Sequence, residues 1–383
     1  MTVLSFEKPV RSPEEDNEDR EQMESYLTRR QIKWIRLRYH KSPSLLATLY
    51  DIVLGVRRIV LEHSRQKIDL VHARGYVPGA IAWGVKRWIH LPYLFDIRGL
   101  QAEEYVDAGN WNDREIRFRL TKQIEQRILR DVDGIVTLTE AVRPILRHFP
   151  GLRSRPTLPP WEVIPCCVDL DHFCFREDGR IRVRAELGVA DRPILVYAGS
   201  IGTWYLLDKM LEFFATARKT CPDLYFLILA NDPGEKAVKA LRSQGISDRD
   251  ATALWARYEE LPDYLSAADV GVAFIRPCLS KRSSSPSKFA EYLACGLPIV
   301  INAGIGDADA LIEKGEAGIL IRAFNEDAYR IASMELPFQM QRDRRVFRNI
   351  AEKQFSLSER AYPTYRQLYN RILTVGDTKR QYP

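Results

Sequence analysis

The sequence predicts an α/β protein built from two doubly wound, Rossmann-like parallel-sheet domains that face each other across a cleft. Three observations predict it. Short apolar runs alternate with amphipathic stretches through both halves of the chain, the pattern of parallel strands joined by crossover helices. A Pro-, Gly- and Arg-rich break from Phe149 to Pro160 separates the halves. The 383 residues are enough for two domains of ordinary size.

Val3 to Phe6 reads as a short strand, and Arg11 to Thr28 as an exposed, highly charged loop and helix. Ile35, Leu37 and Tyr39 alternate with Arg36 and Arg38, a half-buried strand pattern. Leu45, Leu49, Ile52, Val56 and Val60 recur at helical spacing between Ser44 and Ser64. Asp69 to Arg74 is a strand, Pro78 to Trp88 a helix, and Pro92 to Ile97 a strand that closes on Arg98 and Gly99. A helix from Asp113 to Arg130 and a strand from Gly134 to Thr139 follow. A doubly wound domain is expected to carry a first strand, a glycine-rich turn and a helix before Val3, whereas this sequence begins at what reads as a second strand.

Beyond the break, Trp161 to Pro165 is one more strand, and the polar stretch Glu177 to Asp191 reads as a connection. Pro193 to Ala198 is a buried strand opening on Gly199-Ser-Ile-Gly202, followed by a helix from Leu207 to Lys219. Leu224 to Ala230, Thr252 to Tyr258 and Val270 to Ile275 are strands alternating with helices at Glu235 to Gln244 and Leu261 to Ala268. Leu297 to Asn302 and Gly318 to Arg322 are the last strands, and the chain is helical from Glu326. Tyr362, Tyr365, Leu368, Tyr369 and Ile372 mark a terminal amphipathic helix. The predicted domains are residues 1–160, a connection at 161–190, residues 191–355, and a final helix at 356–383 that crosses back to the first domain.

The composition is globular, 45% apolar and 28% charged, and the net charge of +6 permits an anionic ligand or lipid surface without requiring either. No apolar run is long enough to span a bilayer, and acidic residues follow the first strand, unlike a signal peptide. The six cysteines show no CxxC and no paired framework, which suits a reduced, cytoplasmic setting. Basic residues are scattered and not interleaved with aromatics, so no nucleic-acid partner is expected. No Walker A or HExxH sequence occurs. Three D-x-D pairs begin at Asp131, Asp169 and Asp307 but lie at turns and a connection, and Cys166 and Cys167 lack nearby ligands, so neither a metal nor another cofactor is expected.

The stretch from Ser283 to Val300 organises the second half. A hydroxyl-rich loop enters a helix, whose free N–H groups make a ready anion site. Lys288 and Glu291 are three apart and share a helix face. Gly199 and Ser200 end a strand, where glycine lets backbone approach a ligand closely. Gly304 to Asp307 follows another strand and offers further backbone N–H groups. Asp96 and Arg98 end a strand of the first half, where a carboxylate has the chemistry to accept a hydroxyl proton; the alternative is an Asp–Arg pair that fixes the turn. His72 and Arg74 also end a strand there.

Residues 285–300, SPSKFAEYLACGLPIV, resemble the donor-binding segment of the retaining GT-B glycosyltransferases of family four. Residues 163–173, VIPCCVDLDHF, resemble that family's interdomain element, and residues 261–270, LPDYLSAADV, are similar to one of its helices. Glu125 with residues 132–139, VDGIVTLT, matches a further stretch, so the resemblance covers most of the chain. It implies a GT-B fold in which the second domain holds a nucleotide-sugar donor (UDP- or GDP-sugar) and the first holds a saccharide or lipid-linked acceptor. Glu291 would bind the ribose, Ser287 and Lys288 would lie near the diphosphate and sugar, Gly199 and Ser200 would approach the phosphates, and Asp96 and Arg98 would be catalytic. The implied setting is surface polysaccharide or glycolipid synthesis in the cytoplasm, with peripheral attachment to the inner membrane face. Ser283 departs from the family, which often has Glu there, and a common Arg is Ser200 here; Lys209, Lys281, Arg282 and Lys288 are the cations able to replace it. A non-catalytic nucleotide-sugar binder or scaffold subunit, or a sugar-nucleotide 2-epimerase, are the alternatives.

Overall fold

A computed structural model describes residues 1–8, 13–42, 44–230 and 236–381, so Arg11, Ser12 and Glu235 of the stretches above lie outside the described residues. The first half runs β1 (Thr2–Glu7), α1 (Pro13–Arg29), β2 (Lys33–Arg38), α2 (Ser44–Arg65), β3 (Val71–Arg74), α3 (Tyr76–Ile89) and β4 (Tyr93–Ile97). It continues with α4 (Gln101–Asp107), α5 (Ile116–Asp131), β5 (Gly134–Thr137), α6 (Arg143–Arg147), α7 (Pro150–Arg153) and β6 (Trp161–Val163). Strands β3 to β6 form one parallel sheet in sequence order. Strands β1 and β2 pair in parallel as a separate two-stranded sheet rather than joining it. Shared packing holds the two sheets: Phe6 of β1 and Val71 of β3 both rest on a cluster of Ile52, Val56, Ile81 and Val85 from α2 and α3.

The second half contains α8 (Glu177–Leu187), β7 (Ile194–Ala198), α9 (Leu207–Ala217), β8 (Tyr225–Leu229), α10 (Lys236–Ser243), β9 (Ala251–Leu254), α11 (Leu261–Ala267) and β10 (Val270–Ala273). It ends with α12 (Ser287–Ala294), β11 (Ile299–Asn302), α13 (Ala308–Gly315), β12 (Gly318–Ile321), α14 (Glu326–Gln341), α15 (Arg344–Phe355) and α16 (Tyr362–Gln381). Its six strands form a parallel sheet in the order β12-β11-β10-β7-β8-β9, with a core on each face. The strands are runs of fully buried apolar residues, as a sheet covered by helices on both faces requires. Strand order reverses between β7 and β10, and such sheets bind ligands beyond the strand ends at the reversal. Gly199 follows β7 and the hydroxyl-rich loop follows β10, so both predicted anion elements meet there.

Two readings of local structure are corrected. The stretch 177–187, expected as a connection, is helix α8. Its inward face carries Gly179, Val183 and Leu187 beside two arginines: Arg180 and Arg184 donate to the carbonyl of Ala267 and to Asp269, so polar contacts supplement a short apolar face. The stripe assigned to α2 is also only partly internal. Ile52 and Val56 pack inward, but Leu45 and Leu49 are exposed.

Helix α16 packs on the first half. Leu368 and Ile372 are buried against Leu94, Val136 and Ile164 of the first half, and Ile372 sits so close to Gly134 that a Cβ there would be 2.4 Å from its Cδ1. Leu368→Ala should therefore destabilise the first half by about 2–5 kcal/mol. Chemical denaturation checks this, and an unchanged midpoint would show that the helix contributes nothing to that half.

Candidate functional site

The site begins with a lysine that has little reason to be buried except its position. Lys288, in the first turn of α12, is 5% exposed. Its ammonium lies 3.4 Å from the centre of the Tyr205 ring and 5.3 Å from that of Tyr197. It makes no hydrogen bond or ion pair among the described residues. Burial pushes its pKa down to about 7, against the upward pull of Glu291. Gly199 makes this possible. A Cβ at that position would lie 2.8 Å from the Lys288 Nζ, so a side chain and the amine would compete for one space. The Tyr197 hydroxyl donates to the carbonyl of Ser200 at 2.6 Å and fixes the turn.

One helical turn on, Glu291 has its carboxyl pKa raised by burial, opposed by a hydrogen bond from Ser287 and by the charges of Lys288 and His172. His172 stacks on Tyr258 with ring centres 4.4 Å apart, and burial, with the Glu291 charge second, raises the pKa of Tyr258 and of Tyr205. Gly199, Ser287, Lys288 and Glu291 thus form one group, with Ser200 contributing its carbonyl to the turn. His172 and Tyr205 belong to the same group and were missed. No pattern marks a tyrosine six residues past a glycine turn, but His172 stands within the interdomain stretch that carried the resemblance.

Two of the other cations, Lys281 and Lys209, are committed elsewhere. Lys281 bonds Glu104 at 2.7 Å across the domain junction and lies 3.7 Å from the centre of the Trp204 ring. Lys209 pairs with Glu212 at 2.7 Å. Arg282 engages the first half through its carbonyl, which accepts from Thr139 at 2.7 Å.

Asp96 and Arg98 lie at the end of β4, and the carboxylate offered there as a candidate proton acceptor is enclosed. Asp96 is 2% exposed because α16 covers it. The Tyr365 hydroxyl donates to its Oδ2 at 3.1 Å, while His72 and Arg98 stand at 3.6 and 3.7 Å. Burial pushes its pKa up, but His72, Arg98 and Tyr365 outweigh it and hold the carboxyl below its ordinary value. His72 is held in turn by the Tyr369 hydroxyl, 2.8 Å from Nδ1. Arg98 reaches out and donates to the Cys166 Sγ at 3.3 Å. The backbone N–H of Cys166 donates to Ser285 Oγ at 3.1 Å, so one interdomain residue links Arg98 to the loop that leads into Lys288.

The two halves meet along a polar seam beside this site. Ser283, where the family pattern has Glu, accepts the N–H of Leu100 and donates to the carbonyl of Ser280. Asp107 accepts the N–H of Ser280 at 2.9 Å, and Arg276 donates to the Asp107 carbonyl. Asp307 accepts the N–H groups of Glu140 and Ala141 at 2.7 and 2.9 Å. The turn from Gly304 to Asp307, expected to offer N–H groups to a ligand, is therefore part of the seam. A Cβ on Gly306 would lie 2.1 Å from the Ser284 carbonyl oxygen.

Comparison with known proteins agrees with this architecture. Residues 2–161 match the family described as Glycosyl transferase 4-like domain, and residues 192–336 match Glycosyl transferases group 1. A GDP-mannose-dependent alpha-(1-6)-phosphatidylinositol monomannoside mannosyltransferase of Mycolicibacterium smegmatis is 25% identical over 181 residues, 46% of this chain and 46% of that protein. A D-inositol 3-phosphate glycosyltransferase of Segniliparus rotundus is 24% identical over 311 residues, 78% of this chain and 64% of that one. The matches thus span about half to two thirds of these relatives' own lengths. Among solved structures, a glycosyltransferase from Rickettsia africae superposes with a TM-score of 0.67 at 13% identity, over 98% of this chain and 96% of that one. HepE from Anabaena, in complex with UDP and glucose, gives 0.63 at 14% identity, over 93% and 88%. These likenesses establish the fold.

Tyr365→Phe removes the hydroxyl that Asp96 Oδ2 accepts. The loss should lower stability by about 1–3 kcal/mol, the range for a buried hydrogen bond to a charged group. Urea denaturation checks it, and a neutral result would show that His72 and Arg98 hold the carboxylate unaided.

Proposed function

We propose that this chain, which belongs through both of its domains to the family-four-like GT-B glycosyltransferases, moves a sugar from a nucleotide-sugar donor to a hydroxyl acceptor with retention of configuration. The observation that carries the proposal is the Lys288 amine, buried against Gly199 without a hydrogen bond or ion pair among the described residues, at the reversal of strand order. A diphosphate laid along the Gly199 turn is the anion such a group lacks. Glu291, one turn deeper, accepts from the ribose hydroxyls. His172 and Tyr258 stand beside that carboxylate, and Tyr258 leaves ring surface exposed. The mannosyltransferase relative is named for GDP-mannose and HepE was solved with UDP, so both bases are tested below.

In the step proposed, the bond from the donor's anomeric carbon to the diphosphate oxygen breaks, and its electron pair leaves with the phosphate. Protonated Lys288, Ser287 and the N-terminus of α12 stabilise that charge. The acceptor oxygen bonds to the same face of the anomeric carbon, and its proton passes to the departing phosphate. Closure of the two halves over the donor would exclude water, so that a bound hydroxyl outcompetes hydrolysis. Arg98, held by Asp96, orients the acceptor or the phosphate from the opposite wall. The acceptor is a saccharide or a lipid-linked saccharide, in the synthesis of a surface polysaccharide or glycolipid. Ser283 supports a second reading, a nucleotide-sugar binder without turnover, because it ties the loop to Leu100 where the family often places a carboxylate.

A panel of UDP, GDP and their sugars tests the donor. One of them should raise the melting temperature, since a ligand that binds only the folded state stabilises it. Glu291→Ala should weaken that binding by roughly 10–100-fold, the equivalent of a hydrogen bond to a charged group, and unchanged affinity removes the ribose assignment. Transfer with the anomeric configuration kept, read by NMR of the product, supports retention. Binding without transfer or hydrolysis selects the second reading.

The Lys288 pKa sets a pH dependence. Below about 7 the free protein already carries the ammonium; above it, binding a diphosphate must first take up a proton. Affinity should therefore fall as pH rises from 7 to 9, by up to about tenfold per unit, and Lys288→Met should abolish the slope. Calorimetry in buffers of different ionisation enthalpy reads the proton uptake directly, and its absence would show that Lys288 does not meet the phosphates.

A further inference from the structure

Helix α14 covers the second sheet with one face and turns an apolar stripe to water with the other. Tyr329, Ala332, Ser333, Leu336 and Gln339 are its buried residues. They seat it on α9 and the turn after it: the ring centres of Tyr329 and Phe213 are 5.9 Å apart, and Ser333 Oγ lies 3.2 Å from Thr220 Oγ1. Ile331, Met334 and Phe338 point the other way and are 55, 63 and 67% exposed. At about 100° per residue these three share one outer stripe with Asp327 and Glu335, and Arg342 ends it. Three large apolar side chains in a row, each more than half exposed, present on the order of the few hundred Å² that mark an interaction site.

We propose that two copies of this chain pair through the outer stripe of α14, antiparallel across a two-fold axis. The order of residues along the stripe identifies the partner. It has an acid at one end, a cation at the other and apolar side chains between, so it is complementary to itself when reversed. An axis between Met334 and Glu335 sets Ile331 against the partner's Phe338 and Asp327 against the partner's Arg342, each contact occurring twice. In the single chain Asp327 reaches Arg330 at 3.3 Å and Arg342 reaches Glu316 at 3.1 Å, with Asp327, Arg330 and Glu316 largely in water. Pairing joins these two ion pairs into a row of alternating charge and breaks neither. Antiparallel helices also bring opposite dipole ends together. An anionic surface fits the stripe less well, because Asp327 and Glu335 stand on it. The stripe alone falls short of the ~800 Å² per partner of a tight complex, so the dimer forms at micromolar concentration and above. This face is separate from the Lys288 site, and the pairing does not depend on sugar transfer.

Analytical ultracentrifugation of the full chain from ~1 to ~100 μM tests it, and the mass should rise toward twice that of one chain. Phe338→Asp sets a charge against the partner's Ile331 and should weaken association at least ~10-fold. Asp327→Arg, at the exposed end of the stripe, should weaken it ~2–5-fold. A cysteine comparison tests the register. Met334 flanks the axis, so diamide should link chains carrying Met334→Cys well above the background set by the native cysteines. Phe338→Cys stands opposite Ile331 and should link no better than wild type. An unchanged thermal midpoint shows that Phe338→Asp is folded; if it is not, the cysteine comparison carries the test. A monomer at every concentration overturns the proposal. So does a dimer that folded Phe338→Asp leaves intact, or equal linking by the two cysteine variants.

Discussion

A buried, unpaired amine is the constraint on which the ligand-facing part of the second half depends. Lys288 is held between two tyrosine rings with its pKa brought down to about 7, and its shelter exists only because residue 199 has no side chain. The glycine turn is held by Tyr197 from within β7, and the lysine is carried by the helix after β10. Those two strands are neighbours although distant in the chain, because strand order reverses between them. Sheet topology brings the amine and the turn together, and the absence of a carboxylate hydrogen-bonded to the amine leaves it responsive to an arriving anion.

The seam performs a different electrostatic task with similar residue types. Lys281 sits seven positions before Lys288 and also lies on an aromatic ring, yet it pairs with Glu104. No shared pattern separates the roles of the two lysines; the partner supplied by α4 does. Trp204, on which Lys281 rests, belongs to the turn that runs from Gly199 to Tyr205. Tyr205 is the next residue and covers Lys288. A contact chain therefore runs from Glu104 in the first half, through Lys281 and Trp204, to the tyrosine over the candidate phosphate site. Opening the seam changes the support under that tyrosine, which gives a physical route by which the two halves influence each other.

Much of this was legible in the sequence because its periodicity and its backbone requirements agree. The strands of the second half are continuous apolar runs, and Gly199 and Gly296 fall where positive φ is needed. The donor-side group was legible as a motif because Lys288 and Glu291 share a helix face. Long-range polar partners were not. Helix α8 has only Val183 and Leu187 as an apolar face, and arginine–carbonyl contacts supply the rest of its hold. Asp96 reads as an open strand-end carboxylate until a tyrosine 269 positions later covers it. In α2 the heptad-like spacing of leucines is real, but spacing alone does not say which face turns inward, and the buried Asp51 and Glu62 show that ion pairs with β2 and its following turn settled it.

The enclosure of Asp96 bears on how a proton leaves an acceptor hydroxyl. A base must be reachable and must gain from protonation. Asp96 is covered by Tyr365, and His72, Arg98 and the Tyr365 hydroxyl together hold its carboxyl below its ordinary pKa, so protonating it would forfeit those interactions. Its geometry instead suits a fixed anion that holds Arg98 at the junction beside Cys166. In the transfer proposed above, the group best placed to take the proton is then the departing phosphate, whose basicity rises as its bond to the sugar breaks. Such a transfer needs attack from the face the phosphate leaves, the same geometry that keeps the configuration of the sugar. Under the transfer proposed above, the covered carboxylate and the lysine that no carboxylate hydrogen-bonds fit one mechanism: the protein supplies charge and position, and the leaving group supplies the base.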